Sequence, residues 1–326
     1  MNLRKQALRD RSLFVSCVVP VYNEEAGVQS FVAELEFFLK KVTDHYEILL
    51  IDDGSRDHTP LVIKDHLSSK TVKWIQFSRN FGKEIALTAG LHHAKGEVVI
   101  LMDADFQHPF DTISLFLDAW AQGYDMAYGV RANRQDEGFI KRQVTRLFYR
   151  LISKMSTISI PADAGDFRLL DRKVVDALNA HHEHSRFMKG LYANVGFRSL
   201  PISYPVAKRK SGKSSFHLGR LFELAITGIT SFSDLPLRIW SLIGLAISGI
   251  ALFYAGFIII DTLYYGVDVP GYPTLIVCVL FFGGIQLLSI GILGEYIARI
   301  FQEVKQRPLY IISDSHGIIS QEEGKQ

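Results

Sequence analysis

Cysteine is scarce in this chain of 326 residues, and the two that occur, Cys17 and Cys278, lie in separate apolar stretches. Two isolated cysteines form no disulfide framework and lack the spacing of a cysteine-based metal site. An excess of one charge is also missing, because the formal net charge is only +2. This balance gives no argument for nucleic-acid binding. The sequence therefore predicts a chain without disulfides, suited to a reducing compartment.

Charged residues are absent from two long stretches near the end of the chain. Residues 239–260 run for 22 positions without a charge, and residues 272–294 run for 23. A helix needs about 20 apolar residues to cross a bilayer. Two buried core helices are the alternative, but such helices usually keep a polar face and these stretches show none. The pattern predicts two transmembrane helices.

The flanks of these stretches predict their orientation. Arg238 precedes the first, and Arg299, Lys305 and Arg307 follow the second, whereas the loop 261–271 contains no Lys or Arg. Cytoplasmic flanks carry the excess of Lys and Arg. The apolar run after the polar start of the chain is too short for a signal sequence. We expect a multi-pass protein of the inner (plasma) membrane, with the N-terminal domain and both termini cytoplasmic.

Two further segments combine an apolar stripe with basic residues nearby, at residues 144–158 and 218–232. Such helices lie in the headgroup layer of a membrane or dock on a soluble core. For the first segment both interpretations stand; for the second we favour the membrane interface, because it leads into the first apolar stretch. The predicted divisions are a cytoplasmic domain 1–215, an interface helix 216–234, two transmembrane helices 235–298 and a cytoplasmic tail 299–326.

The first half of the chain alternates short apolar runs with helical patterns. This order predicts a parallel sheet covered by helices, an α/β fold. Ligands of such sheets bind at the carboxyl ends of the strands. The predicted strands are residues 14–19, 47–51, 72–77, 98–102 and 125–128, and the predicted helices are residues 26–41, 59–67, 83–94 and 109–122.

Polar motifs follow the predicted strands. The G-x-G-x-x-G turn of dinucleotide-binding folds is missing after the first strand, which argues against an NAD or FAD enzyme. Asp52 and Asp53 end the second strand, where carboxylates can bind a ribose or base edge, although Asp-Gly-Ser is also common turn chemistry. Asp103 and Asp105 follow the fourth strand and offer oxygen ligands to a hard cation such as Mg²⁺.

These motifs, in this order, resemble the GT-A domain of glycosyltransferase family 2. Within that family the chain is most similar to the polyprenyl-phosphate glycosyltransferases, the bactoprenol glucosyltransferases and dolichol-phosphate mannose synthases. The similarity extends over nearly the whole chain, from about residue 14 to residue 310. The motifs that carry it are residues 20–25 (PVYNEE), 52–55 (DDGS), 78–84 (SRNFGKE), 103–105 (DAD), 165–168 (GDFR) and 294–297 (GEYI).

The resemblance implies roles for individual residues. Asp103, Asp105 and Gln107 would hold Mg²⁺ or Mn²⁺ with the diphosphate, and Asp166 would lie near the transferred sugar, as a base or as a sugar-orienting group. The uridine would be held by Pro20, Tyr22, Glu24 and Asp53. The acceptor phosphate would meet Arg209 and Lys213. Arg131 and Arg168 are further candidates because two anionic substrates in one site need cations to offset their repulsion. Apart from any resemblance, the basic run 208–213 lies beside the predicted interface helix, which favours headgroup binding over a solvated loop.

The resemblance implies an enzyme that transfers a hexose from a UDP-sugar to a polyprenyl phosphate, with glucose favoured over mannose, galactose or an amino-arabinose derivative. A processive polysaccharide synthase is an alternative, but the Q-x-x-R-W motif of those enzymes is absent before the first apolar stretch. A catalytically silent nucleotide-sugar-binding membrane protein is another. Small residues in the second stretch would permit close helix packing in a homo-oligomer; these are Gly283, Gly284, Gly291 and Gly294.

Overall fold

The computed structural model describes residues 3–66, 69–131, 164–181, 183, 186–205, single positions between 244 and 265, and 271–318. The strands are β1 (Phe14–Val21), β2 (His45–Asp52), β3 (Val72–Phe77), β4 (Val98–Leu101), β5 (Met126–Arg131), β6 (Ala164–Asp171), β7 (Ser199–Tyr204) and β8 (Ile312–His316). The helices are α1 (Leu3–Arg9), α2 (Val28–Val42), α3 (Thr59–His66), α4 (Lys83–His93), α5 (Asp111–Ala121), α6 (Arg172–Asn179), α7 (Met188–Asn194) and α8 (Tyr272–Val304).

The strands form one eight-stranded sheet in the order β7-β5-β6-β4-β1-β2-β3-β8. Strands β1 to β4 pair in parallel with one another, and β7 pairs in parallel with β5. Strand β6 runs antiparallel between β4 and β5, and β8 runs antiparallel beside β3. The expected parallel sheet is thus confirmed for its centre, and two antiparallel strands are added to it.

Helices cover both faces of the sheet, because successive side chains of a strand point to opposite sides. On one face, Val15, Cys17 and Val19 of β1 pack in a core with residues of α2 and α5. On the other face, Val18 packs with residues of α4, α6 and α7. Helix α4 lies very close to β1 there, since a Cβ added at Gly90 would be 2.1 Å from Val18 Cγ1. The result is a three-layer α/β domain.

The chain after the long helix α8 returns to the domain. Strand β8 pairs with β3, the Ser78 N–H donates to the Ile311 carbonyl at 2.9 Å, and the Tyr310 ring stacks on Phe77 with centroids 5.0 Å apart. Part of the segment expected to be a cytoplasmic tail, residues 299–326, therefore contributes a strand to the sheet. The strand has five residues, four of them polar, so the sequence carried no apolar strand pattern that would predict this pairing.

Helix α8 is long and apolar enough to cross a membrane over Phe281–Ala298, and it is the one such helix among the described residues. Its large apolar side chains Phe281, Leu287 and Ile290 are exposed. Of the first predicted span, residues 239–260, only single helical positions from 244 onward are described. Both transmembrane helices therefore stay predictions. The two predicted interface segments, 144–158 and 218–232, lie outside the described residues.

Candidate active site

Polar side chains from five strands meet at one edge of the sheet. The carboxyl ends of β1, β2, β4 and β5 point to this edge, and so does the amino end of β6, because β6 runs antiparallel to β4. That reversal brings Asp166, near the start of β6, to the edge where Asp103 follows β4. Sequence order alone did not place these two carboxylates together.

Asp103 and Asp105 offer a cation site. With His108 they form a group whose ligand atoms all lie within 4.8 Å of one another. The Asp105 carboxylate Oδ1 also accepts the Gln107 N–H at 3.1 Å, which closes the turn. Two carboxylates and a nearby amide oxygen are the donor set that Mg²⁺ or Mn²⁺ takes in proteins, so the residues fit the expected metal.

Phe106 has the backbone conformation that shapes this turn. Its φ is +59°, a left-handed value that costs a bulky residue about 1–2 kcal/mol. The ring packs edge-on against Phe31 at 5.3 Å and near Phe110 at 6.5 Å, which holds the turn in place. The strained residue thus sits between Asp105 and Gln107, where core packing of its ring aims their polar groups outward.

His108 supports Asp103 from the buried side, a role that the sequence did not reveal. The imidazole is 5% exposed and stacks on Phe167 with centroids 4.5 Å apart. Its Nδ1 accepts the Asp103 N–H at 3.2 Å. Burial lowers the pKa of His108, against the pull of Asp103 and Asp105, and so favours the neutral ring. Because Nδ1 is engaged, we interpret His108 as a support for the motif rather than as a metal ligand.

Gln107 and Arg131 connect the metal motif to β5. The Arg131 Nη2 donates to Gln107 Oε1 at 3.1 Å, and Arg131 itself is exposed at the rim. The same amide oxygen was expected to face the metal. The pair brings a cation to the site's outer edge, which is compatible with the phosphate contact expected of Arg131.

Lys83 joins two carboxylates that come from different strands. Its Nζ lies 2.6 Å from Asp103 Oδ1 and 2.9 Å from Asp166 Oδ2. Burial opposes the charged ammonium, but the two carboxylates outweigh it and raise the pKa of Lys83 above its ordinary value. Burial likewise opposes the charge of Asp166, but Lys83 foremost, with Lys189 and Arg168, lowers its pKa well below the usual range. Asp166 is therefore ionised and already paired.

Arg168 lies behind Asp166, inside the domain. Its guanidinium is 3% exposed, donates from Nη2 to the Gly165 carbonyl at 2.7 Å, and lies 3.6 Å from the ring centroid of Tyr192. Burial lowers its pKa, although Tyr192 and Asp166 act in the other direction. These contacts show that Arg168 packs in the wall of the site. The acceptor-phosphate contact expected of it stays a prediction.

Glu84 belongs to the same buried group. It follows Lys83 on α4, and its Oε2 accepts the Met188 N–H at the start of α7 at 2.9 Å. Burial, together with the negative charge of Asp166, raises the pKa of Glu84 to about 7. Neither Lys83 nor Glu84 was expected to act in the site, although both belong to the motif at residues 78–84. Their roles depend on contacts with β6 and α7 that chain order does not show.

Asp53 is the anchor of a loop. Its Oδ1 accepts the Phe81 N–H at 2.7 Å, and its Oδ2 accepts the Gly82 N–H at 2.9 Å. The carboxylate is 4% exposed, and burial raises its pKa despite these bonds. Gly54 lies against the same loop, where an added Cβ would be 2.4 Å from the Arg79 carbonyl carbon. Asp53 therefore fixes the loop at Phe81 and Gly82. The uridine contact expected of it stays a prediction.

Three residues expected to hold the uridine follow or end β1. Pro20 lies in β1 opposite Ile51, and Tyr22 is 42% exposed at the strand end. The Glu24 N–H donates to Thr59 Oγ1 at 2.8 Å. All three lie at the same edge as Asp53, as expected, and their nucleotide contacts stay predictions. The expected acceptor residues Arg209 and Lys213 lie outside the described residues.

A domain of this topology, with an acidic cation site at the strand ends, is a GT-A-like nucleotide-sugar fold, and comparison with known proteins agrees. The model of glycosyl transferase family 2 matches residues 16–178. The chain is 45% identical over 303 residues to a bactoprenol glucosyl transferase of Shigella phage SfII, with 93% of this chain and 98% of that protein covered. The chain belongs to glycosyltransferase family 2, and the family resemblance is confirmed.

Other proteins show the same relationship. An uncharacterized glycosyltransferase of Synechocystis sp. is 45% identical over 305 residues, covering 93% of this chain and 96% of that protein. The match to the solved mannosyl-3-phosphoglycerate synthase of Rubrobacter xylanophilus covers 69% of this chain and 74% of that protein, at 16% identity and a TM-score of 0.47. The sequence relatives match nearly the whole chain, and the protein is a glycosyltransferase.

Proposed function

We propose that this enzyme transfers glucose from UDP-glucose to a polyprenyl phosphate at the cytoplasmic face of the membrane. One observation carries the proposal: Asp103 and Asp166, from different strands, meet on one ammonium at the open edge of the sheet. This is an assembled polar site at the strand ends, where such folds bind ligands. Similarity to bactoprenol glucosyl transferases over nearly the whole chain supports glucose as the sugar and a lipid as the acceptor.

The donor diphosphate would bind with Mg²⁺ or Mn²⁺ at Asp103 and Asp105, and Gln107 would contribute its amide oxygen. A divalent cation there supplies Lewis-acid stabilisation of the charge that develops on the leaving nucleoside diphosphate. Pro20, Tyr22 and Glu24 would hold the uridine. Asp53 would contribute in addition to its task of fixing the loop at Phe81 and Gly82.

Asp166 is better suited to orient the sugar than to remove a proton. Its pKa is held far below the usual range, chiefly by Lys83 against the effect of burial, so it is a poor base. The acceptor does not need one, since a phosphate monoester with a second pKa of about 6 is mostly dianionic at neutral pH. A fixed carboxylate can instead accept hydrogen bonds from the sugar hydroxyls. Of the two roles that the sequence left open for Asp166, a base or a sugar-orienting group, we therefore propose the second.

The lipid would approach from the membrane side. We propose two transmembrane helices, residues 239–260 and 272–294, with the loop between them outside and the basic run 208–213 in the cytoplasmic headgroup layer. Arg209 and Lys213 would meet the acceptor phosphate, with Arg131 at the rim as a further cation. Each basic group near an anionic surface contributes about 1 kcal/mol. The glycines of the second helix would permit assembly of several copies.

Incubation of the purified enzyme with radiolabelled UDP-glucose, polyprenyl phosphate and Mg²⁺, followed by organic extraction, tests the proposal. Labelled lipid that appears only with the acceptor is the expected result. UDP-galactose, GDP-mannose and a UDP-amino-arabinose derivative are tested as alternative donors. Faster transfer from one of them would show that its sugar, and not glucose, is the one transferred. Label in insoluble polymer would instead identify a processive synthase, and label in neither fraction would contradict both.

A further inference from the structure

Lys83 stands where a metal-site carboxylate and the sugar-site carboxylate come together. Its ammonium is within salt-bridge distance of Asp103 Oδ1 (2.6 Å) and of Asp166 Oδ2 (2.9 Å), yet its side chain is 41% exposed. A single cation thus links the loop after β4 to the start of β6.

We propose that Lys83 is a positioning residue that competes with the divalent cation for Asp103 and, once displaced from Asp103, keeps Asp166 in place for the sugar. The inference rests on the proposed function, because it assumes that Asp103 holds a cation when the donor binds. An ammonium has three N–H donors, so the third can meet an oxygen of the bound donor. Lys83 would then add positive charge beside the leaving diphosphate.

The backbone around Lys83 is held by contacts that leave little freedom. Lys83 begins α4 directly after Gly82, whose φ is +100°. The N–H groups of Phe81 and Gly82 are both bound by the buried carboxylate of Asp53. Further along α4, Gly90 lies against Val18 of β1. Helix α4 is thus anchored before its first residue and again near its end, which fixes the backbone from which the Lys83 side chain extends.

Competition follows from charge and geometry. At 2.6 Å, the ammonium fills the approach to Asp103 Oδ1 that a cation would use, and two positive charges there repel each other. Asp103 and Asp105 are half-buried, and their ligand atoms belong to the group whose members lie within 4.8 Å of one another. With a cation held by Asp103, the ammonium of Lys83 would lose one of its two partners and would keep the other, Asp166. Cation binding at Asp103 would thereby leave the Lys83 ammonium paired with Asp166 alone.

The test measures Mn²⁺ binding and transfer separately, on the full-length enzyme. Lys83→Met removes the charge, and Lys83→Arg keeps it. Lys64→Met is the matched control, because Lys64 also pairs with a carboxylate, Asp314 at 2.8 Å, and is similarly exposed at 47%. Mn²⁺ affinity is read from the electron paramagnetic resonance signal of free Mn²⁺ in the absence of donor. Transfer is read as kcat and KM for UDP-glucose, and thermal unfolding checks each fold.

We expect Lys83→Met to bind Mn²⁺ about tenfold more tightly, the order of one unit charge removed at this distance in a solvated site. We expect its kcat to fall about 100-fold at saturating donor, the usual scale for losing one charged donor at a leaving group. Lys83→Arg should bind Mn²⁺ as the wild type does and regain part of kcat. Lys64→Met should change neither quantity.

Opposite directions of the two effects distinguish this role from a merely structural one, which would weaken both Mn²⁺ binding and transfer. Unchanged or weaker Mn²⁺ binding by Lys83→Met would overturn the inference, and so would absence of Mn²⁺ binding by the wild type. Lys83→Gln is a second neutral variant should Lys83→Met unfold. Labelled lipid made by the wild type is a separate measurement, so the proposed function can stand while this inference fails.

Discussion

Two pairs of neighbouring aspartates follow parallel strands of the same sheet, and they have different fates. Asp52 and Asp53, at the end of β2, are 0% and 4% exposed. Asp103 and Asp105, after β4, are half-buried and face the open edge. The sequence presents both pairs as acidic motifs at strand ends. Their surroundings separate them, since one pair builds the loop beside it and the other presents oxygens to a ligand.

The cause lies in the chain that follows the neighbouring strand. Strand β3 lies beside β2, and the loop after it crosses over Asp53, where two backbone N–H groups meet the carboxylate. Strand β4 is followed by its own turn, in which the Phe106 ring packs inward and leaves the carboxylates at the surface. A carboxylate covered by backbone donors becomes structural, and one beside an inward-turned aromatic ring stays accessible.

The largest expected effect is on the accessible pair. Asp103→Ala or Asp105→Ala should lower transfer by about 100-fold or more, as removal of a group that stabilises a transition-state charge does. The midpoint of thermal unfolding should change by only a few degrees, because half-exposed carboxylates add little to stability. Measured lipid-linked glucose and thermal unfolding check both parts.

Asp118→Ala, an exposed aspartate of α5, is the control for that pair and should behave as the wild type. Near-normal transfer by both variants, with Mg²⁺ still required, would contradict the assignment of the metal site. A large loss of stability in Asp103→Ala or Asp105→Ala would show that this pair, like Asp52 and Asp53, has a structural role.

The second effect concerns the anchoring carboxylate. In the wild type Asp53 Oδ1 accepts both the Phe81 and the Gly82 N–H, and Oδ2 also accepts the Gly82 N–H. Asp53→Asn keeps the size of the side chain but replaces one of these oxygens by an N–H₂ group, which places an unpaired buried donor against a backbone N–H in either orientation of the amide. A buried donor left unpaired costs about 1–3 kcal/mol. We expect a lower unfolding midpoint together with weaker transfer, because Lys83 begins its helix next to this loop. Thermal unfolding in detergent and steady-state transfer measure the two.

Asp53→Glu offers a comparison that keeps the charge and lengthens the side chain by one methylene. It should also destabilise the domain, since the close fit to Gly82 is lost. A stable Asp53→Asn variant that fails only in UDP binding would reverse the contrast and make Asp53 chiefly a nucleotide ligand.

The smallest effect is expected at Asp52. Its Oδ1 accepts the Ser55 N–H at 2.9 Å, and its buried Oδ2 has no hydrogen-bond partner among the described residues. Asp52→Asn preserves the bond to Ser55 and removes a buried charge, so the free energy of unfolding at neutral pH should stay within about 1 kcal/mol of the wild type.

The difference in stability between the wild type and Asp52→Asn should depend on pH with a definite sign. Burial raises the pKa of Asp52 above its ordinary value. Between the pKa of the unfolded chain and that of the folded protein, Asp52 is therefore protonated in the folded state and ionised in the unfolded state. Wild-type stability relative to Asp52→Asn should therefore fall as the pH rises from about 4, the ordinary value, through the raised pKa. Unfolding midpoints of both proteins between pH 4 and pH 8 measure the difference. A rise in relative stability over this range would contradict it.

Periodicity in the sequence located the nine strands and helices expected between residues 14 and 128, most of them to within two residues. Those elements are regular because each has one or two buried faces that repeat with the period of a strand or helix. The sequence did not locate β6, β7 and β8, since their pairing depends on partners far away in the chain. The helices α6 and α7 are too short to show a clear period.

The sequence by itself determined the acidic motifs, their order along the chain and the family to which the protein belongs, because local residue patterns carry that information. Tertiary structure decided what each side chain does. The reversed direction of β6 brought Asp166 to Asp103, the loop over Asp53 made that carboxylate an anchor, and burial turned Arg168 away from solvent. Contacts between distant segments set burial and charge pairing, and these contacts appear only when the sheet is assembled.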